Sequence, residues 1–284
     1  MREVTIYTEK DQYLPGDKIS GHILVSTDKP FTCNRIMLKI RGKEYTHYQA
    51  GKVHVSETND LLNEEINIWE GGDIQSGDSR FEFEFMLPED IPPVHKGVFG
   101  VIDYSIEAVA EVDRALDPKS KRDLRIGTFP PPYIPEPLDQ APLREEKENL
   151  QAEIPTDIIR PNREFVVRFM VGERSRIKGV RLDIAQREDV SCQGRSLNSM
   201  KLVREKHIPI TYNDYERWIE ETLFEDWNTL LPFEGKLIKS SIVLKVVLEI
   251  GLSLDPSIEL PLKLSGEEKT EDIQFESIDL DFGW

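Results

Sequence analysis

The titratable side chains of this 284-residue chain do not form a pattern that catalysis requires. An active site needs acidic, basic or nucleophilic groups that converge in one place. The sequence contains no Gly-x-Ser-x-Gly turn, no glycine-rich phosphate loop and no His-Glu-x-x-His motif. The spacing typical of zinc ligands is also missing from the five histidines, which are His22, His47, His54, His95 and His207. We therefore expect no enzymatic activity, no metal ion and no cofactor.

Basic residues are concentrated in one segment of an acidic chain. The whole chain carries a formal charge of −17, which opposes binding to nucleic acid. Between residues 160 and 206, however, twelve lysines and arginines stand against six acidic residues. This band is either the solvated face of an antiparallel sheet or a surface for an anionic partner. We predict that an acidic peptide, a phosphorylated tail or a lipid headgroup binds there, through Arg168, Arg181, Lys201, Arg204 and Lys206.

Prolines mark the middle of the chain. Pro130, Pro131, Pro132 and Tyr133 form a Pro-Pro-x-Tyr motif, in a segment that its prolines hold extended. A WW domain can recognise such a segment, and the alternative is that the prolines only stiffen a hinge. The charged residues that follow indicate a linker. We predict domains over residues 1–138 and 149–264, a linker over residues 139–148 and an acidic tail over residues 265–284.

The tail combines acidic charge with a hydrophobic alternation. Seven acidic residues and one lysine lie between Glu267 and Asp281. The alternation is typical of an edge strand and places four apolar side chains on one side: Ile278, Leu280, Phe282 and Trp284. We predict that this strand docks onto an exposed sheet edge of the same chain; the alternative is a linear motif for a partner protein.

The strands that must position these residues recur along the chain. Residues 36–44 are followed at a constant offset of 144 by the similar residues 180–188, and each copy ends at a glutamate, Glu44 or Glu188. A fixed internal period indicates two copies of one unit. Alternating segments such as residues 81–85, separated by Gly, Pro, Asn and Asp turns, predict antiparallel sheets. The predicted fold is therefore all-β, with two tandem antiparallel immunoglobulin-like sandwiches.

One segment departs from the strand pattern. Between Asp214 and Leu231 the apolar residues fall at helical spacing, acidic residues occupy the opposite face, and Asn213 or Asp214 can cap the start. We predict one short helix in the second domain, packed on the sandwich. The alternative is an amphipathic element offered to the groove of a partner.

Other features of the sequence favour the cytoplasm. No run of 18 apolar residues is present, and the first residues lack a hydrophobic signal core. Cys33 and Cys192 lie in different copies of the repeat without metal-ligand spacing, so we expect reduced thiols. Peripheral contact with membranes is left open.

Three blocks of the sequence, residues 13–25, 83–108 and 231–262, together resemble the arrestin family, particularly its arrestin-domain-containing branch. Residues 13–25 resemble the opening of an arrestin N-domain, and residues 83–108 resemble the most recognisable block of that domain. Residues 231–262 are similar to the last strands of an arrestin C-domain. Residues 177–188 also resemble the arrestin-fold subunit of the retromer coat.

The resemblance implies the arrestin fold and an adaptor that links membrane-protein cargo to coat or ubiquitin-ligase components. It departs from receptor arrestins at the first strand, where Thr8-Glu9-Lys10 replaces the consecutive lysines that sense phosphate. Two other functions stay open. One is a structural, stress or sporulation scaffold of the kind that prokaryotes build on this fold. The other is a carbohydrate-binding sandwich with Tyr45 and Tyr48 as its aromatic platform.

Overall fold

A computed structural model of the chain shows strands in almost every part that it describes. It describes residues 2–113, 115–129, 131–135, 141–160, 162–173, 177–224, 232–250 and 255–266. These residues form twenty-one strands, and a single 3-10 turn at Tyr212–Asp214 is the only helical element among them. The predicted all-β class is confirmed.

The first half of the chain forms one small sheet packed on one large sheet. The small sheet has the order β1-β3-β8 and the large one the order β2-β11-β10-β5-β6, with β9 paired to β10 and a separate β4-β7 pair. All of these pairs are antiparallel except β2 with β11. The strands are β1 (Arg2–Thr8), β2 (Gln12–Tyr13), β3 (Lys18–Thr27), β4 (Phe31–Cys33), β5 (Arg35–Ala50), β6 (Val53–Trp69), β7 (Gly72–Ile74), β8 (Gly77–Met86), β9 (His95–Lys96), β10 (Gly100–Glu111) and β11 (Lys119–Ile126).

The second half repeats this arrangement with one strand more in its small sheet. That sheet has the order β12-β13-β15-β18, and the large sheet has the order β14-β21-β20-β16-β17, with β19 paired to β20. The strands are β12 (Leu143–Lys147), β13 (Leu150–Ile154), β14 (Ile158–Ile159), β15 (Glu164–Val171), β16 (Ile177–Cys192), β17 (Arg195–Pro209), β18 (Trp218–Phe224), β19 (Phe233–Glu234), β20 (Ile238–Ile250) and β21 (Ser257–Leu264).

Equivalent hydrogen bonds show how closely the two halves correspond. The amide of His47 donates to the carbonyl of Phe99, and its equivalent in the second half, the amide of Ser191, donates to that of Leu237. The difference in residue number between equivalent positions is 144 for His47 and Ser191 but 138 for Phe99 and Leu237, and it stays 138 towards the end of each copy. There the amide of Val112 donates to the carboxylate of Asp117, as that of Ile250 does to Asp255. Each half therefore folds as a copy of the same unit.

Alternation along the strands builds one apolar core in each half. In β10, Ile102, Tyr104 and Ile106 are buried and face the small sheet, while the side chains between them are more exposed. In the second half, β15 of the small sheet buries Phe165, Val167, Phe169 and Val171, which face the large sheet. The first core also includes side chains from the second half, Val190, Leu237 and Ile238. The two halves are thus packed against each other.

The helix predicted between Asp214 and Leu231 is wrong where the structure describes this segment. Trp218–Phe224 form strand β18, which pairs antiparallel with β15. Ile219 and Leu223, four residues apart, lie on one face of a strand as well as on one face of a helix, so their spacing did not distinguish the two. Pairing with β15 favours the strand. Residues 225–231 lie outside the described part.

A strand also begins inside the segment predicted as a linker. Leu143–Lys147 pair along their whole length with Leu150–Ile154, although residues 139–148 were expected to be a connection. The charged side chains of this edge strand face solvent, which explains why the composition resembled a linker. The domain limits themselves stay a prediction.

Candidate functional site

Arg168, the first residue of the predicted basic band, is part of a charge ladder across the small sheet of the second half. Its guanidinium Nε lies 2.8 Å from a carboxylate oxygen of Glu220, and another nitrogen lies 3.6 Å from Glu153. The hydrogen bond with Glu220 raises the pKa of Arg168 above its usual value. Both carboxylates are its direct cross-strand neighbours. Arg168 is therefore already neutralised within the sheet.

The other four basic residues lie on the large sheet of the second half, but on two faces. Arg181 alternates with the buried Leu182 and binds Asp183 at 2.8 Å on the outer face. Cross-strand partners share a face, and Lys206, Arg204 and Lys201 are opposite the inward-facing Leu182, Ile184 and Gln186. A register shift between Ile184 and Ala185 keeps Lys201 on the same side as Arg204. The structure thus brings together three of the five residues.

Lys206 joins this inner face to the edge of the small sheet. Its ammonium lies 2.7 Å from the Glu221 carboxylate and 3.2 Å from the Thr222 carbonyl oxygen, both on β18. We call Lys201, Arg204 and Lys206 the inner basic face. The binding of an anionic partner to this face stays a prediction.

The described part of the Pro-Pro-x-Tyr motif is held against the end of the second half. The amide of Gly266 donates to the Pro132 carbonyl at 3.0 Å, and the amide of Ile134 donates to Ser265 Oγ at 2.9 Å. The Arg160 guanidinium lies 5.6 Å from the centre of the Tyr133 ring. Pro131, Pro132 and Tyr133 are therefore packed against other residues of the same chain. Pro130 lies outside the described residues.

The tail residues Ile278, Leu280, Phe282 and Trp284 also lie outside the described residues. The structure nevertheless shows a difference between the two small sheets that bears on them. β13 corresponds to β1, and β12 pairs with the outer edge of β13. Within the described residues no strand pairs with the corresponding edge of β1. Within the described part of the chain, β1 therefore has an open edge, whereas the corresponding edge of β13 is covered by β12.

The two tyrosines considered as a carbohydrate platform face opposite sides of β5. Tyr45 stacks on His47 with ring centres 5.5 Å apart, and its hydroxyl lies 3.2 Å from His54 Nε2. Tyr48 is instead covered by the guanidinium of Arg195 at 5.2 Å. Residues three apart on a strand point in opposite directions, so they do not form one platform.

The glutamate at the end of each repeat lies buried at the junction of the two halves. Glu188, which is 5% exposed, accepts hydrogen bonds from the amides of Val98, Phe99 and Gly100 at 3.0, 3.2 and 2.9 Å. All three belong to the hairpin of the first half between β9 and β10. The Ser199 hydroxyl donates at 2.7 Å, and His95 Nε2 lies 3.3 Å away.

These hydrogen bonds determine the ionisation of Glu188. Burial alone would raise the pKa of the carboxyl group, but contacts with His95, Ser199 and the two amides of Phe99 and Val98 outweigh it. They lower the pKa of Glu188 to about 2. Successive amides pointing at one carboxylate form an anion-binding concavity. Glu188 is therefore ionised at neutral pH although it is buried.

Glu44 makes the reciprocal contact from the first half into the second. It is fully buried and accepts hydrogen bonds from the amides of Lys236 and Leu237, both at 3.2 Å. These amides lie in the hairpin between β19 and β20. Asn59, its cross-strand partner, donates at 3.0 Å, as Ser199 does to Glu188.

Residues that are equivalent in the two halves meet between these glutamates. The rings of His95 and Phe233, which are equivalent at the offset of 138, have centres 5.1 Å apart and meet edge to face. Ile238 likewise packs against its equivalent, Gly100. In an isologous interface, a residue near the symmetry axis contacts its own equivalent in the other copy, and the contacts around it occur in reciprocal pairs. The junction shows both features. The halves are therefore related by an approximate two-fold axis.

Sequence reasoning found the two glutamates but not the hairpins that receive them. The offset changes from 144 to 138 between residues 47 and 97, so a single period does not align the hairpins. Two signals in the sequence mark the second offset. Gly97 recurs as Gly235, and Asp117-Pro118 recurs as Asp255-Pro256.

Two other kinds of site are absent from the described residues. No group of three or more His, Cys, Asp or Glu side chains there could hold a metal ion. None of the helical structure in the same residues is long and apolar enough to cross a membrane.

Comparison with known proteins identifies the first half. Residues 3–127 match the family model of the arrestin (or S-antigen) N-terminal domain. Arrestin domain-containing protein 17 of Caenorhabditis elegans is 25% identical over 126 residues, which are 38% of this chain and 30% of that protein. The human arrestin domain-containing protein 4 is 25% identical over 134 residues, 41% of this chain and 32% of that protein.

A third relative shows the same partial coverage. The human arrestin domain-containing protein 1 is 22% identical over 112 residues, 39% of this chain and 26% of that protein. The chain therefore aligns with about a third or less of each of these relatives. The likeness to them concerns one domain.

Proposed function

Since the chain belongs to the arrestin family, we propose that it is a non-enzymatic adaptor that binds other proteins in the cytoplasm. The observation that carries this proposal is the match of residues 3–127 to the arrestin N-terminal domain. The second half supports it, because it repeats the same unit and is packed against the first. Paired sandwiches offer long strand faces and edges for protein partners.

We propose the inner basic face as one contact surface for the cytosolic segment of a membrane protein or for a coat or ubiquitin-ligase component. Lys201, Arg204 and Lys206 share this face, and an acidic or phosphorylated peptide would complement it. Arg168 and Arg181 are not included, because Arg168 lies on the small sheet and Arg181 on the outer face of the large sheet.

We also keep two sequence motifs as proposals. The Pro-Pro-x-Tyr motif would bind a WW domain after release from Ser265 and Gly266, since its described residues now pack against them. The acidic tail would add a strand to the open edge of β1, where its alternating apolar side chains could pack.

Proximity labelling tests the adaptor proposal. The chain, fused to a biotin ligase, is expressed in its source cells, and the labelled proteins are quantified by mass spectrometry. We expect enrichment of membrane proteins, coat subunits or WW proteins, and at least a roughly tenfold loss of the main partners in the K201E/R204E/K206E variant.

A variant with the same charge change elsewhere provides the control. K52E/K121E/R125E reverses three exposed basic residues of the first half and should retain the partners. Labelling that resembles free ligase would contradict the adaptor and favour a structural scaffold. Equal loss in both variants would show that net charge matters and the inner basic face does not.

A further inference from the structure

The junction combines two buried carboxylates with two hairpins in a reciprocal arrangement. Glu188 of the second half enters the hairpin of the first half, and Glu44 of the first half enters the hairpin of the second. Each carboxylate also has a cross-strand hydrogen-bond donor in its own half. An approximate two-fold axis relates the two contacts. Both glutamates therefore contribute to the junction in equivalent ways.

The hairpins are adapted to the carboxylates by glycine. A side-chain carbon added to Gly97 would overlap Glu188 Oε1, and one added to Gly235 would overlap Glu44 Oε1. Neither glycine has a positive φ, so the backbone conformation itself does not require glycine there. The requirement comes from the close approach of the glutamate at equivalent positions in both copies, joined at Gly97 by His95 Nε2 at 2.6 Å from the added carbon.

Direct hydrogen bonds surround the two carboxylates and complete the junction. The Thr46 hydroxyl, in a fully buried residue, donates to the carbonyl of Ser191 at 2.9 Å. The Cys192 thiol approaches the Thr46 carbonyl oxygen at 3.7 Å. The halves therefore share a continuous buried polar seam as well as apolar contacts.

We propose that Glu44 and Glu188 are a pair of equivalent latches that hold the two sandwiches as one rigid and cooperatively folding body. Opening the junction would exchange the hydrogen bonds between each carboxylate and its hairpin for hydrogen bonds to water, and hydrogen bonds to a charged group contribute more net stability than neutral ones. Val98 is part of one latch through its amide, yet the residue as a whole is 61% exposed. A partner that contacts this hairpin would therefore act directly on the latch.

A double-mutant cycle tests the first latch in the full chain. In the wild-type background, G97A places a methyl group where the Glu188 carboxylate lies, so we expect the unfolding equilibrium constant to rise roughly 100-fold. In the E188A background the carboxylate is gone and the close neighbour that remains is the His95 ring, a side chain that can move, so the same methyl group should raise this constant less than about tenfold. G127A is the control, because a methyl group there meets only ordinary contacts at 3.5 Å or more.

The second latch supplies an independent cycle with G235A and E44A. If one variant fails to fold, the other cycle still decides the outcome. We also expect the single calorimetric transition of the wild type to split in the E44A/E188A variant, because the halves then unfold separately. Equal effects of each glycine substitution with and without its glutamate, or a single transition in E44A/E188A at the wild-type temperature, would overturn the proposal.

Discussion

At the residue scale, the junction glutamates show how an acidic side chain can be stable inside a protein. Removing a carboxylate from water is costly, and a buried charge persists only when hydrogen bonds replace its hydration. Three amides, one hydroxyl and one imidazole provide those bonds to Glu188. The sequence revealed the repeat of the two glutamates, but their acceptor role depends on hairpins from the other half.

The pKa of Glu188 leads to a prediction about pH. The folded value of about 2 lies below the ordinary value of 4.5, so the ionised carboxylate stabilises the fold above pH 4.5. This contribution, about 3 kcal/mol at neutral pH, should disappear as the pH falls from 4.5 towards 2. Urea unfolding of wild type and E188Q should therefore show a stability difference at pH 7 that shrinks by pH 3.

An exposed carboxylate provides the control for this experiment. Glu82 pairs with Arg80 at the surface, and E82Q should change stability by less than about 1 kcal/mol at any pH in this range. A difference between wild type and E188Q that stays constant from pH 7 to pH 3 would contradict the assigned ionisation.

At the element scale, strands were predictable where the alternation of apolar and polar residues was sufficient to identify them. They were missed where the strand depends on pairing with a neighbouring strand. The strand β8 follows directly from the alternating phenylalanines of residues 81–85. β18 was predicted as a helix because its apolar spacing fits both structures. β12 was predicted as a linker because an exposed edge strand has few apolar residues. Both depend on a neighbouring strand that local sequence does not reveal.

The open edge of β1 leads to a prediction about the tail. If the tail adds a strand there, outward-pointing amides of Arg2–Thr8 are protected, and deleting residues 267–284 should speed their hydrogen exchange at least tenfold. The edge strand β18 is the internal control and should exchange at the same rate in both chains. If hydrogen exchange in β1 is unchanged after the deletion, the tail does not dock there. The tail would then serve as a linear motif for a partner protein.

The packed Pro-Pro-x-Tyr motif leads to a prediction about WW binding. A peptide covering residues 128–137 is free to bind, whereas the intact chain must first break the contacts with Ser265 and Gly266. Isothermal titration with a WW domain should therefore show binding to the peptide at least tenfold tighter than to the chain.

Two variants separate the effect of packing on WW binding from the requirement for the motif itself. R160A removes the cation over the Tyr133 ring and should strengthen binding to the intact chain. Y133A, made in the peptide, should abolish binding. If chain and peptide bind equally, the packing does not restrict the motif; if neither binds, the prolines only stiffen the connection.

At the scale of the whole molecule, the duplication was visible in the sequence and its consequence was not. The constant offset between the copies predicted two similar units, and the structure contains them. How they associate depends on hairpins that follow a second, shorter offset, and on contacts between positions far apart in the chain. Reciprocal contacts of this kind arise from the geometry of two packed copies, which a one-dimensional pattern does not encode.

The association of the two halves also bears on how an adaptor would work. Two sandwiches in a fixed orientation present a preformed surface, so a partner that spans both halves need not order them on binding. Two sandwiches that move independently would lose part of the binding free energy to that ordering. A rigid junction would therefore favour the binding of a partner that spans both halves.

A distance measurement between the halves tests this claim most directly. Spin labels at L116C and Y212C lie on residues that are 96% and 80% exposed, one in each half, and the native cysteines Cys33 and Cys192 are buried. A label pair within the first half, L116C with V53C, serves as the control. We expect pulsed electron paramagnetic resonance to show one narrow distance distribution between the halves, broadened in the E44A/E188A variant while the control stays narrow. A broad distribution in the wild-type background, or one that the double variant leaves unchanged, would contradict a latched junction.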